Sequence, residues 1–251
     1  MSSFICVLKE DGVATVTLSR GKVNALNEAT VEELYVRFRS LEGDASVSSV
    51  VLTGAGKFFS FGFDIPEFLE YSRESFTRYL RLFSRFYAYL FLFPKPVIAA
   101  LNGHTIAGGC MLALACDQRL MVAGKGKISL NEINFGSSVF AGSTAMLKAC
   151  VGERAARDVL FSGSMFSAEE ALMLGLVDKV VPQEDLMPLA ARAARELGGK
   201  NAAAFRSVKS LLRKPVADEA AGREEASIRE FVEIWYSPET WKNLKEIKIA
   251  P

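Results

Sequence analysis

The sequence predicts an α/β fold in which at least part of the sheet is parallel, followed by a helical C-terminal region. Strand and helix patterns alternate over the first part of the chain, which is typical of βα units. From Leu186 onward only helical patterns occur. We therefore predict an α/β core over residues 1–190. The helical region over 191–251 should pack on this core or on a neighbouring subunit.

The first elements are indicated by apolar patterning. Residues 4–18 contain two short strand patterns around the turn EDG, which predicts a hairpin. Apolar residues at helical spacing predict a helix over 27–41, where Thr30 and Glu33 have capping-box spacing. The segment VSSVVLTGA (47–55) is typical of a buried strand.

The later elements follow from the same criteria. An aromatic stripe at helical spacing predicts a helix over 74–93, which Pro94 and Pro96 end. A second buried helix should begin near Gly108 after a glycine pair. Strands are expected at 96–103, 118–124 and 127–130, and tail helices at 186–197, 201–212 and 218–236.

Composition excludes several classes of protein. The formal net charge is +1, which argues against binding to nucleic acid, because such binding needs a dense basic surface. The longest apolar stretch, 87–93, is too short to span a bilayer. No secretory signal pattern is recognised, so a cytoplasmic location is expected. The four cysteines have no C-x-x-C spacing and there is one histidine, so we expect reduced, buried thiols and no metal.

Three segments remain as a candidate site. SFGFD (60–64) and HTIAGG (104–109) each follow a predicted strand. Glycines at such junctions expose backbone N–H groups, and two of these can converge on one carbonyl oxygen as an oxyanion hole. The third segment, LNEINFG (130–136), places Glu132 among apolar residues. Burial there would raise the pKa of its carboxyl toward the range useful for proton transfer. Each of these segments, taken alone, also has an ordinary structural interpretation. The glycines can simply form tight turns, and a single glutamate is usually solvated.

The chain resembles the crotonase, or enoyl-CoA hydratase/isomerase, superfamily over nearly its whole length. The resemblance rests on several blocks in order: GKVNAL (21–26), VVLTGAGKFFSFGFDI (50–65), KPVIAALNGHTIAGGCMLALACDQRL (95–120), ISLNEINFG (128–136) and FSGSMFSAEEALMLGLVDKVVP (161–182). It implies a crotonase-like spiral of ββα units, with a helical C-terminal trimerisation region. Homotrimers or dimers of trimers are implied as well. The implied ligand is an acyl-CoA thioester, with coenzyme A as part of the substrate and no separate cofactor.

The resemblance also assigns residues. The backbone N–H groups of Phe63 and Gly108 match the oxyanion donors, and Glu132 matches an acid–base residue. The loop that lines coenzyme A in the family matches Lys22, Asn24, Ala25 and Leu26. Further residues expected around the acyl group are Phe61, Asp64, Ile65, Met111, Asn131 and Phe140, although a Met or an aromatic at helical spacing is more often ordinary core.

One departure from the residue pattern of the family's hydratases indicates which reaction to expect. Hydratases of the family use two glutamates, and the first of these positions is Met111 here. Methionine cannot transfer a proton, whereas one carboxylate suffices to move a double bond. The segment around Glu132 resembles the monofunctional Δ3,Δ2-enoyl-CoA isomerases, which implies a role in fatty-acid β-oxidation. A hydratase with Asp64 or Glu67 as its second acid, another acyl-CoA enzyme such as a hydrolase, decarboxylase or dehalogenase, and a non-catalytic CoA-binding scaffold stay open.

Overall fold

The computed structural model describes residues 3–247, which form two β-sheets and nine α-helices within that range. The larger sheet has the strand order β1-β2-β3-β5-β7-β9 and the smaller has the order β4-β6-β8. The strands are β1 (Ile5–Glu10), β2 (Val13–Leu18), β3 (Ser49–Gly54), β4 (Phe58–Ser60), β5 (Val97–Leu101), β6 (His104–Ile106), β7 (Gln118–Val122), β8 (Ile128–Ser129) and β9 (Lys179–Val181). The pair β1–β2 is the predicted antiparallel hairpin, and the other strand pairs are parallel.

The helices surround these sheets. They are α1 (Glu28–Gly43), α2 (Ile65–Phe68), α3 (Arg73–Phe91), α4 (Gly108–Ala115), α5 (Ala141–Ser162), α6 (Ala168–Leu174), α7 (Leu186–Gly198), α8 (Ala202–Trp235) and α9 (Pro238–Glu246). Short 3₁₀ turns occupy Glu132–Phe135 and Gln183–Asp185. Within residues 3–247, none of the helices combines the length and the apolar character that crossing a bilayer would require.

The small sheet brings the three candidate segments together. SFGFD begins at the end of β4, AGG follows β6, and LNEINFG follows β8. Because all three strands are parallel, with β6 between β4 and β8, their carboxyl ends lie at one edge of the sheet. Crevices outside the carboxyl ends of parallel strands are the usual ligand sites of α/β folds.

Two local predictions need correction. The N-cap of α1 is Asn27, whose Oδ1 accepts a hydrogen bond from the Thr30 N–H at 3.0 Å. The capping box predicted from Thr30 and Glu33 is therefore wrong, since Glu33 instead accepts from the Phe4 N–H. The two tail helices predicted at 201–212 and 218–236 form one helix, α8, which contains Pro215. Pro215 is exposed, so water can satisfy the carbonyl that its missing N–H leaves free.

One large core joins the C-terminal region to the α/β part. It includes Phe231, Trp235 and Leu244 from α8 and α9 together with apolar residues of α1, α3 and α4. The predicted boundary at residue 190 falls inside α7, which packs Leu186 and Ala194 on the opposite face of the large sheet. Among the cysteines, Cys6 is exposed on strand β1, so the expectation of buried thiols is wrong there.

Candidate active site

A cavity of about 210 Å³ opens at the edge where β4, β6 and β8 end. Six of the residues expected at the site line it: Phe61, Phe63, Ile65, Met111, Asn131 and Glu132. Others were not expected from the sequence: Ile106, Ala107, Asn134, Phe135, Phe231, Trp235 and Ile247. Phe231 and Trp235 belong to α8, far along the sequence from the last candidate segment, which ends at Gly136, and no spacing or motif signal connects them to the site.

The two proposed oxyanion donors lie side by side. Gly62 has φ +93°, and a Cβ at this position would lie 2.9 Å from the Gly108 backbone nitrogen. Only glycine adopts this conformation readily and allows such a close approach. The Leu26 N–H donates to the Gly62 carbonyl at 2.7 Å, and the Asp64 N–H donates to the Leu26 carbonyl at 3.2 Å. These bonds on either side of Phe63 form a parallel bridge with Leu26. The N–H of Phe63 itself therefore points away from Leu26.

Neither N–H has a partner. Within residues 3–247, no group accepts a hydrogen bond from the Phe63 or the Gly108 N–H. Gly108 is the first residue of α4, where helix amides have no intrahelical acceptor. The preceding residue, Ala107, has φ +48° and ψ −118°, an unusual backbone conformation for alanine that precedes the exposed amide. Two free N–H groups beside one cavity can bind a carbonyl oxygen that gains negative charge.

Glu132 supplies the carboxyl group of the cavity. It is the first residue of the 3₁₀ turn after β8, and 6 % of its surface is exposed. Its Oε2 atom is buried without a hydrogen-bond partner in the described part of the chain, as is Oδ1 of Asn131. Burial raises the pKa of the Glu132 carboxyl to about 8, because a charged carboxylate is poorly solvated among apolar groups. The group can therefore take up and return a proton near neutral pH.

Met111, which the family resemblance matches to the first glutamate of hydratases, also lines the cavity. This residue lies in the first turns of α4 and is 1 % exposed. Its sulfur accepts a hydrogen bond from the Ser143 hydroxyl at 3.2 Å. Among the described residues that line the cavity, Glu132 is the one with a carboxyl group.

The alternative acids are engaged elsewhere. The Asp64 carboxylate accepts from the Glu67 N–H at the start of α2 and binds Arg20 Nη1 at 2.5 Å. The Glu67 carboxylate binds Arg20 Nη2 and accepts from Asn27 and Tyr71. Neither residue lines the cavity. The structure thus places Asp64 outside the cavity, because it serves as the N-cap of α2 and as an ion-pair partner.

The loop at residues 21–26 borders the site through its backbone. Asn24 has φ +51° and its amide donates to the carbonyls of Ala55 and Phe58, which ties the loop to the chain around β4. Lys22 is exposed, and Ala25 and Leu26 are buried. None of these side chains lines the cavity, and their contact with coenzyme A stays a prediction.

Phe140 also lies outside the cavity lining. Its ring stacks on Phe63 with a centroid distance of 6.4 Å and an angle of 19° between the ring planes. It also contacts Phe231 at 5.6 Å. Phe140 is 1 % exposed and supports the cavity wall from behind, so the structure does not support the predicted contact with the acyl group. Phe63 itself is held from the α3 side by Tyr79 and Phe83.

The free amide pair beside a buried carboxyl group defines a site that can stabilise an enolate and transfer a proton. The protein-family model described as enoyl-CoA hydratase/isomerase matches residues 8–244. The chain therefore belongs to the enoyl-CoA hydratase/isomerase family, whose enzymes act on acyl-CoA thioesters. This membership and the two-sheet architecture confirm the crotonase fold predicted from the sequence.

Individual relatives include both activities of the family. The chain is 37 % identical over 191 residues to the short-chain-enoyl-CoA hydratase of Clostridium acetobutylicum, covering 75 % of this chain and 73 % of the relative. It is 31 % identical over 224 residues to mitochondrial enoyl-CoA delta isomerase 1 of Rattus norvegicus, covering 88 % and 78 %. The crystal structure of human mitochondrial delta3-delta2-enoyl-CoA isomerase superposes with a TM-score of 0.93 at 29 % identity, covering 97 % of this chain and 96 % of that one.

Proposed function

We propose that the protein is a Δ3,Δ2-enoyl-CoA isomerase that moves a carbon–carbon double bond into conjugation with the thioester, as β-oxidation of unsaturated fatty acids requires. The observation that carries the proposal is that Glu132 supplies the single carboxyl group among the described residues that line the cavity. Glu132 and Met111 both line it, and the family resemblance matches Met111 to a glutamate that hydratases use as their second acid. The resemblance of the overall structure to a delta3-delta2 isomerase supports the same reaction. A homotrimeric or hexameric assembly and a cytoplasmic location stay predictions.

The reaction needs one group that moves a proton between two carbon atoms. The Glu132 carboxylate takes the proton from C2 of a 3-enoyl thioester, and the electron pair of that C–H bond delocalises onto the thioester oxygen and C4. The N–H groups of Phe63 and Gly108 donate to the oxygen as it gains charge. The protonated Glu132 then returns the proton to C4. The product is the 2-enoyl thioester, and no water or cofactor is consumed.

The surroundings of Glu132 suit this step. A carboxyl group whose pKa lies near the working pH exchanges its proton with the smallest loss in either direction, and burial raises the pKa of Glu132 to about 8. The free Oε2 has no protein partner within residues 3–247 that must be displaced before it contacts substrate. The apolar lining, which includes Phe61 and Phe135, limits water access to the dienolate.

The direct test offers a medium-length 3-enoyl-CoA and follows the ultraviolet absorbance of the conjugated product. We expect turnover by the wild type and a loss of at least about a hundredfold in kcat for Glu132→Gln, since a positioned acid–base group contributes about 10²–10⁴-fold. Asn131→Ala is the neighbouring control and should keep measurable isomerase activity. Absence of conjugation together with hydration of 2-enoyl-CoA would overturn the proposal in favour of a hydratase. Binding without either reaction would favour a non-catalytic role.

A gain of function tests the same reasoning from the other side. Met111→Glu would place a second carboxyl group beside the cavity, within reach of the Ser143 hydroxyl that now contacts the sulfur. If the missing acid is what prevents hydration, this variant should hydrate 2-enoyl-CoA faster than the wild type, while Met111→Gln should not. Equal hydration by all three proteins would show that Met111 does not determine the reaction.

A further inference from the structure

We propose that Trp235 closes the far end of the acyl site and restricts the enzyme to acyl groups of about eight carbons or fewer. This inference rests on the proposed function and names its substrate class. It begins from an aromatic wall formed by Phe63, Phe140, Phe231 and Trp235. Three of these rings face the cavity, and Phe140 supports them from behind.

The aromatic wall connects Phe63, whose amide is a proposed oxyanion donor, to Trp235 through neighbouring rings. Successive ring centroids are separated by 6.4 Å from Phe63 to Phe140, by 5.6 Å to Phe231 and by 5.8 Å to Trp235. The backbone of Phe63 holds the thioester in the proposed mechanism. The proposed path of the acyl chain runs from the thioester past Phe231 to Trp235, both of which line the cavity.

The cavity volume sets the length. An apolar cavity of about 150 Å³ accommodates one benzene molecule, which has six carbons. By proportion, the cavity of about 210 Å³ accommodates about eight acyl carbons. A methylene group beyond this number either stays in water and adds nothing to binding, or clashes with the packed wall and weakens binding.

Trp235 is held firmly in its position. It is the last residue of α8 and is 2 % exposed, and its ring packs on Phe76 at a centroid distance of 4.5 Å. The helix end is fixed next to it, because the Tyr236 hydroxyl donates to the Tyr71 carbonyl at 2.8 Å. Moving the indole aside would break these contacts, so the end of the site does not adapt to a longer chain at low cost.

The first experiment measures binding, which does not depend on catalysis. Titration calorimetry with octanoyl-CoA and dodecanoyl-CoA should show at least about tenfold weaker binding of the longer ligand to the wild type. Trp235→Ala should remove most of this difference by opening the end of the cavity. Trp235→Phe keeps an aromatic ring but lacks the indole N–H, and it should retain a clear preference for the shorter ligand.

Trp241→Ala is the matched control. This second tryptophan stacks on Tyr236 at 5.0 Å and does not line the cavity, so its removal should leave the length preference unchanged. Circular dichroism and thermal melts verify that each variant is folded. A wild type that binds both ligands equally, or a Trp235→Ala variant that keeps the wild-type preference, would overturn the inference.

The isomerase assay then separates the two proposals. With 3-octenoyl-CoA and 3-dodecenoyl-CoA as substrates, kcat/KM of the wild type should fall by about tenfold or more for the longer chain, and Trp235→Ala should reduce that difference. If no 3-enoyl-CoA is isomerised but the binding preference and its loss in Trp235→Ala are observed, the proposed function fails and the assignment of Trp235 stands. If isomerisation proceeds equally at both lengths, the assignment fails and the proposed function stands.

Discussion

Replacing Glu132 with glutamine should make the folded protein less sensitive to alkaline pH. Burial raises the pKa of the Glu132 carboxyl from 4.5 to about 8. Folding therefore favours the protonated form, and the associated stability is fully present below pH 4.5 and is lost as the pH rises to about 8. At 1.36 kcal/mol per pKa unit, the whole loss is roughly 4–5 kcal/mol. Glutamine cannot ionise, so the variant should not show this part of the pH dependence.

The assay is urea unfolding at pH 5 and pH 9, with the free energy of unfolding obtained by linear extrapolation. The wild type and the Glu132→Gln variant share all other titrating groups. The difference between their free energies of unfolding therefore reports the ionisation of Glu132 alone. The stability of Glu132→Gln relative to the wild type should increase by roughly 4 kcal/mol between the two pH values.

Glu225→Gln is the control for loss of a carboxylate. Glu225 is exposed and pairs with Arg81, which lowers the pKa of its carboxyl. This variant should not gain stability relative to the wild type at pH 9. If Glu132→Gln follows the wild type at both pH values, the carboxyl group is solvated and the argument for its raised pKa is wrong.

Three further outcomes are expected. The value of kcat/KM for isomerisation should rise with pH and level off above about 8, because the free enzyme must hold Glu132 as carboxylate; a rate independent of pH from 6 to 9 would contradict this. Gly62→Ala should lower kcat by about a hundredfold or more, because its Cβ would lie 2.8 Å from the Ile106 carbonyl oxygen and 2.9 Å from the Gly108 nitrogen. Gly56→Ala is the control, since Gly56 also has a positive φ (+73°) but no atom within 4 Å of its added Cβ. This variant should lose stability without a comparable loss of kcat. Asp117→Asn should destabilise the fold by about 3–5 kcal/mol, since Asp117 pairs at 2.8 Å with Lys209, which is 5 % exposed; an unchanged urea midpoint would show that this pair is dispensable.

Much of the site could be predicted from local sequence. The glycines after β4 and β6 and the glutamate after β8 lie within a few residues of strong strand signals. Parallel strands align their carboxyl ends, so these segments had to meet once the strands paired. The resemblance to the family, applied at Met111 and Glu132, then favoured isomerisation over hydration as a hypothesis.

The local signals were less reliable where two interpretations compete. Thr30 and Glu33 have capping-box spacing, yet Asn27 caps the helix, because a suitable side chain lies three residues earlier and several residue types can fill the role. Separate helices were predicted at 201–212 and 218–236, but α8 continues through Pro215, an exposed proline whose missing hydrogen bond water can replace. Asp64 resembled a pocket acid, and Arg20 and the start of α2 engage it instead.

The sequence by itself predicted most of the strands and helices and indicated the candidate oxyanion segments and Glu132, because each of these signals depends on neighbours within a few positions. Only the tertiary structure decided which side chains enclose the cavity and where it ends. Phe231 and Trp235 reach the site from α8, while Phe140 is directed behind Phe63. These placements depend on the packing of helices far apart in the sequence, where shape complementarity rather than local pattern selects the contacts.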